Sequence, residues 1–165
     1  MNDGLNKLVE NDNPHVVKYV GNAYLAGKDG YPKDVEKGVN LLIKAGELGI
    51  DSAYTHLALL YAEGKLVPVD MKKVKHYNEL AAKMGNVYAR HLLGIIEEKH
   101  GDPERAFKHF IIAAKAGYEL SLHSVRAAFT NGAITNEQYS EALEGYEKSK
   151  DEMKSDYREI YKHFN

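Results

Sequence analysis

The sequence predicts an all-α fold, an α/α superhelix (solenoid) of about four repeats with a long C-terminal capping helix. Three observations carry this. A pattern of small, aromatic and glycine positions recurs at a spacing near 36 residues. Each copy holds two apolar stripes at helical periodicity, parted by a glycine- or proline-bearing turn. No stretch reads as a convincing strand.

Taken in order, Leu5, Leu8 and Val9 in "LNKLVE" form a short N-terminal cap over residues 1–12. "NDNP" then restarts the chain, with Asn13 as N-cap and Pro14 at the first helical position. Tyr24 aligns with Tyr61, Gly27 with Gly64 and Val20 with Leu57 at a spacing of 37. Beyond the turn the spacing is 36, pairing Asp34 with Asp70, Lys37 with Lys73 and Gly49 with Gly85. In the third copy Ala89, Leu93 and Gly94 match Ala53, Leu57 and Ala58. Asp102, Arg105, Ala113 and Gly117 then match Asp70, Lys73, Ala81 and Gly85 at a spacing of 32, so this turn is shortened. A weaker fourth copy holds Ser121, Val125, Phe129 and Gly132. The expected bounds are 13–50, 51–86, 87–118 and a degenerate 119–150, all in one domain, 1–165.

Within a repeat, "SAYTHLALLYAEG" places Ala53, Leu57, Leu60 and Tyr61 on one helical face. Gly64 ends that helix in the left-handed conformation, and Pro68 prevents its continuation. Asp70 is the N-cap of the second helix, which Gly85 closes. At the far end Thr135 and Gln138 resemble a capping box, opening a helix that runs to about residue 163. Its apolar series, Tyr139, Leu143, Tyr146, Met153, Tyr157, Ile160 and Phe164, steps by four and three once Lys150 fills the gap. That heptad-like seam caps the solenoid; the stretch from Met153 is the alternative, a helix interface.

Composition narrows function. A net charge of −2 with no basic stripe argues against nucleic acid, and no polybasic cluster points to a membrane surface. With no cysteine there is no thiolate metal site or nucleophile, and a reducing, cytoplasmic setting is expected. The start lacks signal-peptide character. No phosphate loop or Gly-x-Ser-x-Gly elbow appears, so no enzyme, cofactor or metal is expected.

The pattern A-x-x-x-L-G-x-x-Y-x-x-G, a variable turn, then D-x-x-K-A-x-x-x-Y-x-x-A-A-x-x-G resembles the Sel1-like repeat (SLR) family over about residues 13–150. These solenoids are related to tetratricopeptide repeats, and the resemblance implies a right-handed superhelix. The tail "KSKDEMKSDYRE" is similar to the end of algal members. The departures are Asn78 for a second-helix aromatic, Glu97 and His100 for the Tyr and Gly that end a first helix, and Arg126 for a first-helix Gly.

The resemblance implies an adaptor or scaffold that binds a protein or peptide on the concave first-helix face. Carried over by position, its contact residues are Lys18, Asn22, Thr55, Leu59, Tyr88, His91, Ile95 and His123. Lys18 and Asn22 also match two members of a tetratricopeptide carboxylate clamp, but His56, Tyr88 and Leu92 do not supply the rest. Glu97 and His100 have the Glu-x-x-His spacing of carboxylate-bridged metal sites without a second copy. His91 and His123 occupy equivalent positions in adjacent repeats, the arrangement a pH switch would use. The expected function is therefore non-catalytic binding; the alternative is a self-associating assembly subunit, a homo-oligomer built through Met153, Tyr157, Ile160 and Phe164.

Overall fold

The computed structural model describes residues 3–162, and every regular element among them is α-helical. Nine helices follow one another: α1 (Asp3–Glu10), α2 (Pro14–Ala26), α3 (Val35–Glu47), α4 (Asp51–Glu63), α5 (Met71–Lys83), α6 (Val87–Lys99), α7 (Pro103–Lys115), α8 (Glu119–Thr130) and α9 (Asn136–Lys162). Helices α2 to α9 are the helix pairs of an α/α solenoid, as the repeat pattern predicts, and α1 precedes them. The chain divides into two compact units, Met1–Ala89 and Arg90–Asn165.

The local signals act where the sequence places them. The Asn13 side chain accepts from the Val16 amide at 3.2 Å with Pro14 at the first position of α2. Asp34, Asp70 and Asp102 cap α3, α5 and α7 by accepting from amides two or three residues on. Each satisfies an orphan N–H that the first turn cannot bond internally. Gly27 and Gly64 end α2 and α4 at φ values of 65° and 69°, which residues with a Cβ rarely adopt.

In the first unit α2 packs on α3 and α4 on α5. The α2–α3 approach depends on paired glycines: a Cβ on Gly21 would lie 3.2 Å from the Gly38 carbonyl, and one on Gly38 would meet the Leu25 side chain at 2.7 Å. Val9 of α1 covers the Val20–Ala23–Tyr31 cluster, consistent with an N-terminal cap. Leu8 is exposed, and the Leu5 side chain lies outside the described residues. Tyr54, Tyr77 and Tyr61 stack in series, with centroids 6.1 and 5.9 Å apart. Against this face the second-helix lysine of each joint sits over the tyrosine that ends the first helix: Lys37 over Tyr24 and Lys73 over Tyr61, both at 4.4 Å.

In the second unit Phe110, Leu122, Val125 and Ile134 form the core with Ala106, Ala114, Ala128 and Ala142. Thr135 and Gln138 form the reciprocal capping box, at 2.8 and 3.2 Å. From α9, Tyr139, Leu143 and Tyr146 pack on that core, and Lys150 lies over the Tyr146 ring at 5.3 Å. The inner half of α9 therefore caps the final helix pair. Residues 151–156 are exposed.

Candidate functional site

The first-helix face of the first unit carries a groove of about 580 Å³ between α2 and α4. Leu25, Leu59, Leu60 and Leu66 make its apolar walls; Asn22, Lys28, His56, Glu63 and Lys65 supply its polar groups. The helical repeat explains the convergence. Asn22, Leu25 and Ala26 recur along one stripe of α2, and His56, Leu59, Leu60 and Glu63 along one stripe of α4. Lys65 and Leu66 come from the joint that follows α4. The volume falls within the range of small-ligand and side-chain pockets, about 300–1,000 Å³.

Asn22 is half-buried, and its Oδ1 is buried without a hydrogen-bond partner. Burial first, and then the positive charge of Lys18, hold the His56 imidazole below its usual pKa, while Glu63 pulls the other way. His56 is therefore neutral near pH 7. The Glu63 carboxylate lies 3.1 Å from the Lys65 ammonium. Nothing in this constellation pairs a nucleophile with a base.

The sequence-predicted residues divide accordingly. Asn22 and Leu59 line the groove, and Leu59 is 52% exposed. Lys18 is half-buried and donates to Ser52 Oγ at 2.7 Å, and Thr55 Oγ1 donates to the Ser52 carbonyl at 3.1 Å. The first bond ties α2 to the start of α4, and the second lies within the first turn of α4. Tyr88 is exposed, and Ile95 packs against the second unit's core. His123 is exposed, 3.9 Å from Glu119. His91 is buried: its Nδ1 lies 2.9 Å from Ser121 Oγ, with the Phe110 and Tyr118 rings beside it. His91 and His123 thus stand in different environments. Met153 is exposed; the side chains of Tyr157 and Ile160, and Phe164 altogether, lie outside the described residues. His56 and Leu66 are among the eight groove-lining residues that the carried-over contact positions leave out. The first faces α2 from one turn before Leu60, and the second sits in a joint that no helical period reaches.

A model of the Sel1 repeat matches residues 19–50, 51–86 and 88–118. The chain belongs to the Sel1 repeat family. Among solved structures it is similar to c5321, a protective antigen present in uropathogenic Escherichia coli strains displaying an SLR fold. That match has 25% identity and a TM-score of 0.72, covering 92% of this chain and 33% of that one. A Sel1 repeat protein from Oxalobacter formigenes matches at 22% identity and a TM-score of 0.66, covering 89% of this chain and 62% of that one. This chain therefore spans only part of the length of either. No curated protein matches. The algal likeness of the tail finds no support in these comparisons.

The third Sel1 repeat accommodates its departures by substitution in pairs. Glu97 holds the place of Tyr24 and Tyr61, and Arg105 that of Lys37 and Lys73. Glu97 is buried, with its carboxylate 3.9 Å from the Arg105 guanidinium. The cation–π contact of the first two Sel1 repeats becomes an ion pair in the third. His100 turns Nδ1 to the Ile96 carbonyl at 2.6 Å. Both members of the Glu-x-x-His spacing are thus engaged, and no three ligating side chains converge among the described residues.

Proposed function

We propose that this Sel1 repeat chain is a non-catalytic scaffold that binds a protein or peptide on the first-helix face of its first unit, in the groove between α2 and α4. The observation that carries this is the apolar groove itself, whose lining includes two of the expected contact residues, Asn22 and Leu59. An open groove with leucine walls and polar groups at its margin suits an extended segment or a helix better than a small metabolite. Sel1-repeat proteins generally act as interaction scaffolds, which supports the same class. The test is selection from a random peptide display library on the full chain, counter-selected on Leu59→Glu. Leu59 is exposed, so the charge leaves the fold intact while spoiling the groove. Peptides that bind the parent and lose the variant are the expected result; peptides indifferent to the change would place binding elsewhere.

A second reading is self-association through the outer part of α9, favoured by the exposure of Met153 beyond the residues that cap the core. Light-scattering mass on the full chain and on one ending at Lys150 decides it. A dimer lost on truncation supports assembly, and two folded monomers dispose of it.

A further inference from the structure

We propose that the α2–α4 groove takes an extended peptide segment in which a leucine-sized aliphatic side chain stands beside an acidic side chain. This rests on the scaffold reading and names its ligand.

The aliphatic half follows from the walls. Leu25, Leu59, Leu60 and Leu66 come from both helices and from the joint after α4. Burying a leucine side chain there is worth more than tenfold in affinity. The joint holds Leu66 in place. Gly64 turns it left-handed, a Cβ at Gly64 would meet Val69 at 2.5 Å, and the Asp70 amide donates to the Tyr61 carbonyl at 3.2 Å. The corresponding joint of the third repeat shrinks to His100–Asp102, too short to supply such a wall.

The acidic half follows from the polar groups. Lys28 and Lys65 stand at the ends of α2 and α4, and the acidic lining group, Glu63, is already answered by Lys65. The lining therefore keeps one positive charge in excess. The buried Oδ1 of Asn22 leaves the amide's NH₂ as its accessible end, another donor. A groove of donors and cations calls for an acceptor-rich, anionic ligand. The carboxylate is a side chain and not a C-terminus. A terminal carboxylate is held by donors converging around it. Here Lys28 and Lys65 are exposed at the rim, and Lys18 is spent on Ser52.

The test uses fluorescein-labelled octapeptides, acetylated and C-terminally amidated, on a glycine–serine background with a central Glu-Leu, Lys-Leu or Glu-Ser pair. Anisotropy against the full chain reads their affinities. The Glu-Leu peptide is expected to bind about tenfold more tightly than the Glu-Ser peptide and about threefold more tightly than the Lys-Leu peptide. Lys28→Glu should reverse the order of the Glu-Leu and Lys-Leu peptides, and Leu59→Glu should weaken all three. Equal binding of Glu-Leu and Lys-Leu, no binding by any peptide, or binding that requires a free C-terminus would overturn the proposal. Display selection separates the two levels. Groove-dependent peptides lacking an acidic residue overturn the ligand assignment and leave the scaffold standing, whereas a failure to recover any groove-dependent peptide removes both.

Discussion

Asn78 stands at a core position that its sister repeats fill with apolar side chains, Leu42 and Phe110, and it is 1% exposed. Its Nδ2 donates to the Val74 carbonyl at 2.9 Å, and its Oδ1 has no partner. Substituting leucine relieves an orphaned acceptor worth about 1–3 kcal/mol and forfeits a hydrogen bond worth about 1 kcal/mol. It also adds apolar burial of about 1 kcal/mol from the extra hydrocarbon. The expected net is stabilisation by about 2 kcal/mol, or a rise in Tm of about 4–8 °C for a chain of this size. Urea unfolding followed by circular dichroism measures it, and an unchanged m-value shows that the shift is in stability alone. Asn78→Asp should move the other way, since it places a carboxylate where an amide was already under-satisfied. A loss of stability in Asn78→Leu would refute the reasoning, and would mean that the pocket requires the amide's shape or polarity.

Other perturbations follow from the same packing. Burial holds the His91 pKa below its usual value, so the unfolded chain takes up the proton more readily. The stability His91 contributes is complete above the ordinary imidazole pKa and is lost as pH falls through its lower folded value. The urea midpoint should therefore drop between pH 7.5 and 5, with a shallower slope in His91→Gln; identical slopes would contradict this. Arg105→Ala should destabilise by about 1–3 kcal/mol by leaving the buried Glu97 carboxylate without its guanidinium. The pair Glu97→Tyr with Arg105→Lys should recover most of that, with the recovery read from a double-mutant cycle. Gly94→Ala would set a Cβ on the Phe110 ring, and is expected to lose about 1–2 kcal/mol despite alanine's better helix propensity.

Much of the fold was legible because its signals are local. Asn13, Asp34, Asp70, Asp102 and the Thr135–Gln138 box act on amides within three residues, and Gly27 and Gly64 act on their own backbone. Those contacts need no tertiary context. The groove was legible only in part. Asn22 and Leu59 follow from helical phase, but Leu66 is placed by a joint whose path depends on Gly64, Val69 and Asp70 together. His91 shares its phase with the half-buried Thr55, yet it is buried by Phe110, Tyr118 and Ser121, side chains that a position-by-position reading of first helices does not weigh. Glu97 reads as a polar turn residue until Arg105, eight residues on, is seen to answer it.

The joints contract from Gly27–Asp34 and Gly64–Asp70 to His100–Asp102, while an aspartate caps the following helix each time. Closing a loop of eight residues in place of three adds only about 1 kcal/mol of entropy by the logarithmic law. Each helix pair is clamped across the joint by its own cation, Lys37, Lys73 or Arg105. Length change is thereby uncoupled from helix register. The joints are where such a chain can acquire or shed residues over evolution at little thermodynamic cost, so new recognition walls can be grafted beside an old groove while the stacked helices stay as they are.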